Sequence, residues 1–199
     1  MGITSENVAE RYGVGRQQQD AASVTSHQLA AAATANGKFK QEIVPVHTKL
    51  VDPKTGEEKQ VTIAVDDGIR PQATLAELAT SRFSRKVAPP QQAIHPRSEA
   101  FASQFAYLAK KLELDEEKIN VNGGAIALGH PLGATGALRT ATLLHEMKQH
   151  GKDCHFGVVS MCIGSGMGAA AVFERGSVVD TLNNASPIAA NNFLSKDAK

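Results

Sequence analysis

The chain has 199 residues, 42% of them hydrophobic, and a formal net charge of +1. That length is enough for one good core or two small ones, and the charge sets up no long-range field toward nucleic acid or an anionic membrane. No run of eighteen apolar residues spans a bilayer, and no apolar h-region opens the chain, so neither a membrane partner nor secretion is expected. The two cysteines, Cys154 and Cys162, read as one strand and would stand roughly 26 Å apart if extended, beyond disulfide reach and without zinc-ligand spacing. A reduced, intracellular, metal-free protein is the expectation.

In chain order, a short helix is expected over residues 1–13, with Thr4 or Ser5 as N-cap and Gly13 as C-cap. A second runs from about Arg16 to Ala35, with Ala21, Ala22, Leu29, Ala32 and Ala33 toward its packed face, and Asn36-Gly37 stops it. Glu42–Leu50 and Gln60–Val65 read as a hairpin around the turn Asp52-Pro53-Lys54-Thr55-Gly56. Residues 66–71 form a loop and Thr74–Leu78 a short helix. From Ala79 to Arg97 the sequence is basic, proline-bearing and without period, which reads as a junction. Phe101, Phe105, Leu108 and Leu112 then recur at helical spacing behind Ser98 as a cap. Asp115–Lys118 is a polar turn and Ile119–Asn122 a short strand.

The most informative stretch is Asn120 to Ala137, where glycines at 123, 124, 129, 133 and 136 surround His130 and Pro131. Such a run lets the backbone turn sharply and approach a ligand closely. Residues 133–147 read as a helix apolar round much of its circumference, hence buried, with Pro131 at its entrance. His130 is thereby set beside the positive end of a helix dipole, which favours a nearby thiolate or oxyanion. His155–Met161 is nearly all apolar, as in a strand buried on both faces, and ends at Cys162-Ile163-Gly164-Ser165-Gly166-Met167-Gly168. Ala169–Phe173 returns as the next strand.

A lone histidine or cysteine is usually a packed residue. Two of them, each in a glycine-rich loop, are more specific. Asn-Gly-Gly-Ala, Gly-His-Pro-Leu-Gly-Ala-Thr-Gly and Cys-Ile-Gly-Ser-Gly-Met-Gly resemble the C-terminal half of a thiolase, and among thiolases the peroxisomal 3-ketoacyl-CoA enzymes in particular. The resemblance extends to the opening Met-Gly-Ile-Thr-Ser-Glu-Asn and to Ile-Arg-Pro-Gln-Ala-Thr-Leu at Ile69–Leu75. It implies an α/β chain, an incomplete thiolase-like fold holding part of the αβαβα layered core, with a loop domain that covers coenzyme A. The expected division is 1–79 for the CoA-facing loop-domain part, 80–97 for the junction, 98–175 for the C-terminal core part and 176–199 for a tail.

The same resemblance implies the chemistry of thiolytic cleavage of 3-ketoacyl-CoA in fatty acid β-oxidation, with acyl-CoA as substrate and no cofactor or metal. His130 then polarises the nucleophile and donates to the thioester oxygen, Cys162 is the general acid/base, and the Gly164 N–H helps bind an oxyanion. Met1 lines the pantetheine tunnel and Arg70, otherwise a solvated charge at a strand end, approaches the adenine and phosphate end of CoA. Ala100 and Phe101 contact substrate from the Ser-Glu-Ala-Phe-Ala motif. There thiolases carry asparagine at the position of Ser98, whose shorter arm reaches less far toward an oxyanion water. Glu77 replaces a small hydroxyl residue of many relatives, and Cys154 is a structural thiol.

The family's nucleophile context, Cys-Ser-Ser-Gly-like, matches neither cysteine, and a mid-chain segment with a Thr-Ala-Gly-Asn loop has no counterpart. The chain alone is therefore expected to be inactive. The alternatives are a non-catalytic acyl-CoA-binding protein, an associate of itself or of full-length thiolase, or a poorly folding fragment. Peroxisomal residence is implied by the resemblance, with the cytosol expected for the chain alone, since no address is visible at either end.

Overall fold

A computed structural model describes residues 2–80, 101–164, 166–177 and 179. Their organising element is α2 (Arg16–Ala35), against which α3 (Leu75–Thr80), α4 (Ala102–Lys111) and α5 (Ala125–Leu128) pack. Its N-terminus is capped by Gln18, whose Oε1 accepts from the Gly15 N–H at 2.9 Å. At its far end Gly37 takes φ +71°, a left-handed conformation that suits a residue without Cβ. Arg16 fastens α3 to the start of α2, donating to Asp20 at 2.6 Å and to the Leu78 carbonyl at 2.7 Å.

The expected packed face of α2 is corrected. Asp20, Val24, Ser26, His27, Ala30 and Ala33 are buried, while Ala21, Ala22 and Leu29 line an open groove of about 680 Å³ between α2 and α4. The burial is set by the loop that follows α4. Gly123, at φ +80°, lies so close to α2 that a Cβ there would meet the Ser26 carbonyl oxygen at 2.6 Å and Ala30 Cβ at 2.7 Å. The next residue, Gly124, donates its N–H to Ser26 Oγ at 3.0 Å. The strand expected over Ile119–Asn122 is instead a turn, with Asn120 at φ +46° and the Gly123 N–H on the Asn120 carbonyl at 2.7 Å. A chain that must turn onto a helix surface has no room for an extended segment, and one helical turn, α5, follows at once.

The helix α1 (Gly2–Tyr12) begins earlier than its expected cap. Ser5 lies within it and faces Ser103 of α4, hydroxyl to hydroxyl at 2.7 Å, while Ser103 Oγ donates to the Ser5 carbonyl at 3.0 Å. Small residues let these helices approach closely, and Tyr12 stacks on Tyr107 with ring centroids 4.0 Å apart. In α4 the fully buried positions are Ser103 and Ala109, whereas Leu112 of the expected apolar stripe is 60% exposed. The expected cap, Ser98, lies outside the described residues, and Phe101 occupies the N-cap position.

Among the described residues the strands form two antiparallel pairs. β1 (Val46–Val51) and β2 (Glu58–Ile63) make the expected hairpin, whose turn is tied by Asp52 Oδ1 accepting the N–H of Lys54 at 2.7 Å. β3 (Phe156–Gly164) pairs with β4 (Met167–Glu174), and α6 (Thr135–His150) covers one face of β3. Gly157 makes this possible, since a Cβ on it would stand 2.6 Å from Leu143 Cδ1. Arg139, buried in α6, donates to the Ser160 carbonyl at 2.5 Å, and Arg175 after β4 donates to the Met147 carbonyl. The expectation of a strand buried on both faces is overturned. Phe156, Val158 and Val172 are 63%, 65% and 69% exposed, because among the described residues β3 has one strand neighbour and one helix layer. For the same reason α6 is buried chiefly at Thr135, Arg139 and Met147 rather than all round.

Gly123→Ala is expected to cost about 2–4 kcal/mol, from overpacking against α2 and from the left-handed backbone. A urea titration checks this: a lowered midpoint at unchanged slope is the expected result.

Candidate active site

The two loops singled out by the sequence are carried by α6 and β3. His130 stands five residues before α6, in a segment where the Ala134 N–H closes a turn on the Pro131 carbonyl at 2.8 Å. The helix thus starts at Thr135, two residues later than expected. His130 is half-buried, and its Nδ1 lies 2.8 Å from Thr135 Oγ1. Thr135 is itself buried, and its hydroxyl donates to the Pro131 carbonyl at 3.0 Å.

Cys162 is exposed near the end of β3, opposite Gly168, where the register shifts between Cys162 and Gly164. Gly164 follows at φ +98° and Gly166 at φ +76°, so this hairpin end needs glycine at both positions. The first turn of α6 meets β3 beside this point: a Cβ on Gly136 would lie 3.2 Å from Met161 Cε. The same helix turn bears Thr135, the partner of His130. Cys154 precedes β3, half-buried, with its Sγ 3.8 Å from the Phe156 carbonyl oxygen.

Arg70 is exposed in the loop after β2, and its backbone N–H donates to His27 Nδ1 at 3.2 Å. That bond makes His27 an acceptor at Nδ1 and fixes it as the neutral Nε2–H tautomer. Burial first, and then the nearby Arg70 charge, holds the His27 pKa below its usual value. Glu77 caps α3 with Thr74, accepting the Thr74 N–H at 3.3 Å and donating its own N–H to Thr74 Oγ1 at 3.3 Å. Its carboxylate is thus bound to local structure. Phe101 is half-buried at the start of α4. Met1, Ser98 and Ala100 lie outside the described residues.

Sequence reasoning missed Glu146. Its carboxylate accepts from Asn122 Nδ2 and from Lys38 Nζ at 3.3 Å, and lies 2.9 Å from His150 Nε2. It braces α6 against both the glycine loop and the segment after α2. Only His150 stands at helical i,i+4 spacing from it; Lys38 and Asn122 come from two distant segments, which no sequence spacing announces.

The thiolase N-terminal domain family model matches residues 1–86 and the thiolase C-terminal domain family model matches residues 92–175. The chain belongs to the thiolase family. It is 51% identical to the peroxisomal 3-ketoacyl-CoA thiolase 2 of Arabidopsis thaliana, in a match covering 100% of this chain and 58% of that one. It is 52% identical to the peroxisomal 3-ketoacyl-CoA thiolase 1 of Petunia hybrida, with the same coverage. Among solved structures, human mitochondrial 3-ketoacyl-CoA thiolase superposes with a TM-score of 0.75 at 27% identity, over 88% of this chain and 60% of that one. The same human enzyme in complex with CoA gives 0.73. The chain therefore spans somewhat over half the length of the relatives it matches. Its match to the Arabidopsis protein extends over 267 residues against 199 here, so that relative carries stretches with no counterpart in this chain.

Stability is expected to fall as pH drops below about 6.5. Above that value His27 is neutral in both states. Below it the unfolded chain takes up a proton that the folded state, with its lowered pKa, resists. His145, lowered by burial and then by Lys148, acts in the same direction. Urea midpoints at pH 7.5 and 5.5 should show the loss, and His27→Gln should reduce it.

Proposed function

We propose that this chain is the acid/base-bearing and CoA-facing part of a 3-ketoacyl-CoA thiolase, working on acyl-CoA thioesters in fatty acid β-oxidation. The reading is supported by the contact of the α6 first turn with β3 at Met161, the residue next to Cys162, and by the bond from Thr135 of that turn to His130. In thiolysis a thiolate attacks the 3-keto carbonyl carbon, the bond between the α- and β-carbons breaks, and acetyl-CoA leaves as its carbanion takes a proton. CoA then displaces the shortened acyl group from the enzyme. His130 takes the proton of the nucleophilic thiol and then donates to the thioester oxygen. Cys162 gives its proton to the α-carbon and recovers one from the incoming CoA thiol. The Gly164 N–H stabilises an oxyanion formed on the way. Arg70 and Phe101 contribute on the CoA side, and by the same reading so do Met1 and Ala100, with Ser98 a short substitute for the water-holding asparagine.

Neither cysteine of the chain has the setting of the nucleophile: Cys162 serves as acid/base and Cys154 points its thiol at its own strand. We therefore assign full turnover to an assembly that supplies the missing thiol, and none to the 199-residue chain alone. A second reading, a non-catalytic binder that joins itself or an intact thiolase, is supported by the bare apolar face of Phe156, Val158 and Val172. The peroxisomal names of the relatives support that organelle for the assembled protein, with the cytosol as the place of a chain lacking its partner.

The test is thiolysis by the purified chain, followed as loss of 3-ketoacyl-CoA on adding CoA, together with calorimetric titration of CoA. The expected outcome is CoA binding, weakened by Arg70→Ala, with turnover on the order of 10⁶-fold below an intact site. CoA-dependent turnover that vanishes in His130→Ala would overturn the division of labour. A folded, monodisperse chain that binds no CoA would overturn the acyl-CoA reading itself.

A further inference from the structure

The hydrogen bonds around Thr135 determine which nitrogen of His130 is basic. A threonine hydroxyl has one proton, and that of Thr135 is committed to the Pro131 carbonyl oxygen at 3.0 Å. For the 2.8 Å contact between Thr135 Oγ1 and His130 Nδ1 to be a hydrogen bond as well, the imidazole has to donate it. In the neutral ring this puts the proton on Nδ1 and the lone pair on Nε2. Thr135 is only 2% exposed, so water does not readily compete for its oxygen, and its place as the first residue of α6 makes the acceptor rigid. The Pro131 carbonyl that holds the hydroxyl also accepts the Ala134 N–H, so one turn fixes both the backbone and the hydroxyl rotor.

We infer that Thr135 is a positioning residue for His130, holding it as the Nδ1–H tautomer with Nε2 as the nitrogen that takes and returns a proton. This rests on the reading of His130 as an acid/base group, but its test needs no turnover. With the proton on Nε2 instead, the ring would present a donor where the reaction first needs a base. Thr135 acts through His130 and touches no reacting atom.

The experiment is ¹⁵N–¹H correlation spectroscopy of the histidine side chains in the 199-residue chain at pH 8, with the His130 signals assigned by their absence in His130→Gln. The expected parent spectrum has a pyrrole-type Nδ1 and a pyridine-type Nε2. Thr135→Ser keeps the hydroxyl and should preserve that pattern. Thr135→Val removes the acceptor and should move the proton toward Nε2, the form a neutral imidazole prefers in water. A parent spectrum with the proton on Nε2 overturns the inference without any variant, as does an unchanged pattern in a folded Thr135→Val. Should Thr135→Val fail to fold, the parent and Thr135→Ser spectra still decide: loss of the Nδ1–H pattern in either is fatal. Failure of the thiolysis reading would leave these spectra unaltered, so the two outcomes remain separable.

Discussion

The described structure depends on one close approach, that of the Gly123–Gly124 backbone to the surface of α2. There is no space for a Cβ between Gly123 and the Ser26–Ala30 turn, and the Gly124 N–H is satisfied by Ser26 Oγ. A buried backbone donor without that hydroxyl would cost on the order of 1–3 kcal/mol, which gives the buried Ser26 a clear purpose. The contact brings the segment after α4 onto the first fifty residues of the chain. α5 and the His130 loop emerge from it, and α6 follows.

From that seat the site is assembled outward. Glu146 ties α6 back to Asn122 and Lys38, which limits rotation of the helix that begins at Thr135. Arg139 and Leu143 on the same helix engage β3 at Ser160 and at the vacancy left by Gly157. The glycine loop thus positions one end of α6, and β3 receives its flank. This helix begins next to the His130 loop and runs along β3, the strand that ends at Cys162. Among the described residues no helix covers the opposite face of β3 and β4, where Phe156, Val158 and Val172 are exposed.

Much of this was legible in the residues. The bounds of α2, the β1–β2 hairpin with its Asp52 turn and the β3–β4 pair follow from local signals: cap and stop residues, turn chemistry and apolar runs. So did the two glycine loops, because a histidine or cysteine flanked by several glycines marks a backbone that must bend. Errors arose where a residue's fate depends on a partner remote in sequence. Ala21, Ala22 and Leu29 look like a core stripe, yet the glycine loop lands on Ser26 and Ala30 instead. Ser5 looked like a cap and is a contact to Ser103, ninety-eight residues away.

Taken alone, then, the sequence determined the longer helices, the hairpins and the residues of the two glycine loops, though not α5, since these rest on torsional preference and on side-chain chemistry within a few residues. Tertiary structure decided which faces are buried and which loop meets which strand. It also set the Thr135 hydroxyl between Pro131 and His130, from which the tautomer of His130 is inferred. Burial is a property of pairs of surfaces, and a tautomer is set by the acceptor its ring finds. Thr135 was visible in the sequence as part of the motif. Its role became readable only when its hydroxyl was seen held between Pro131 and His130.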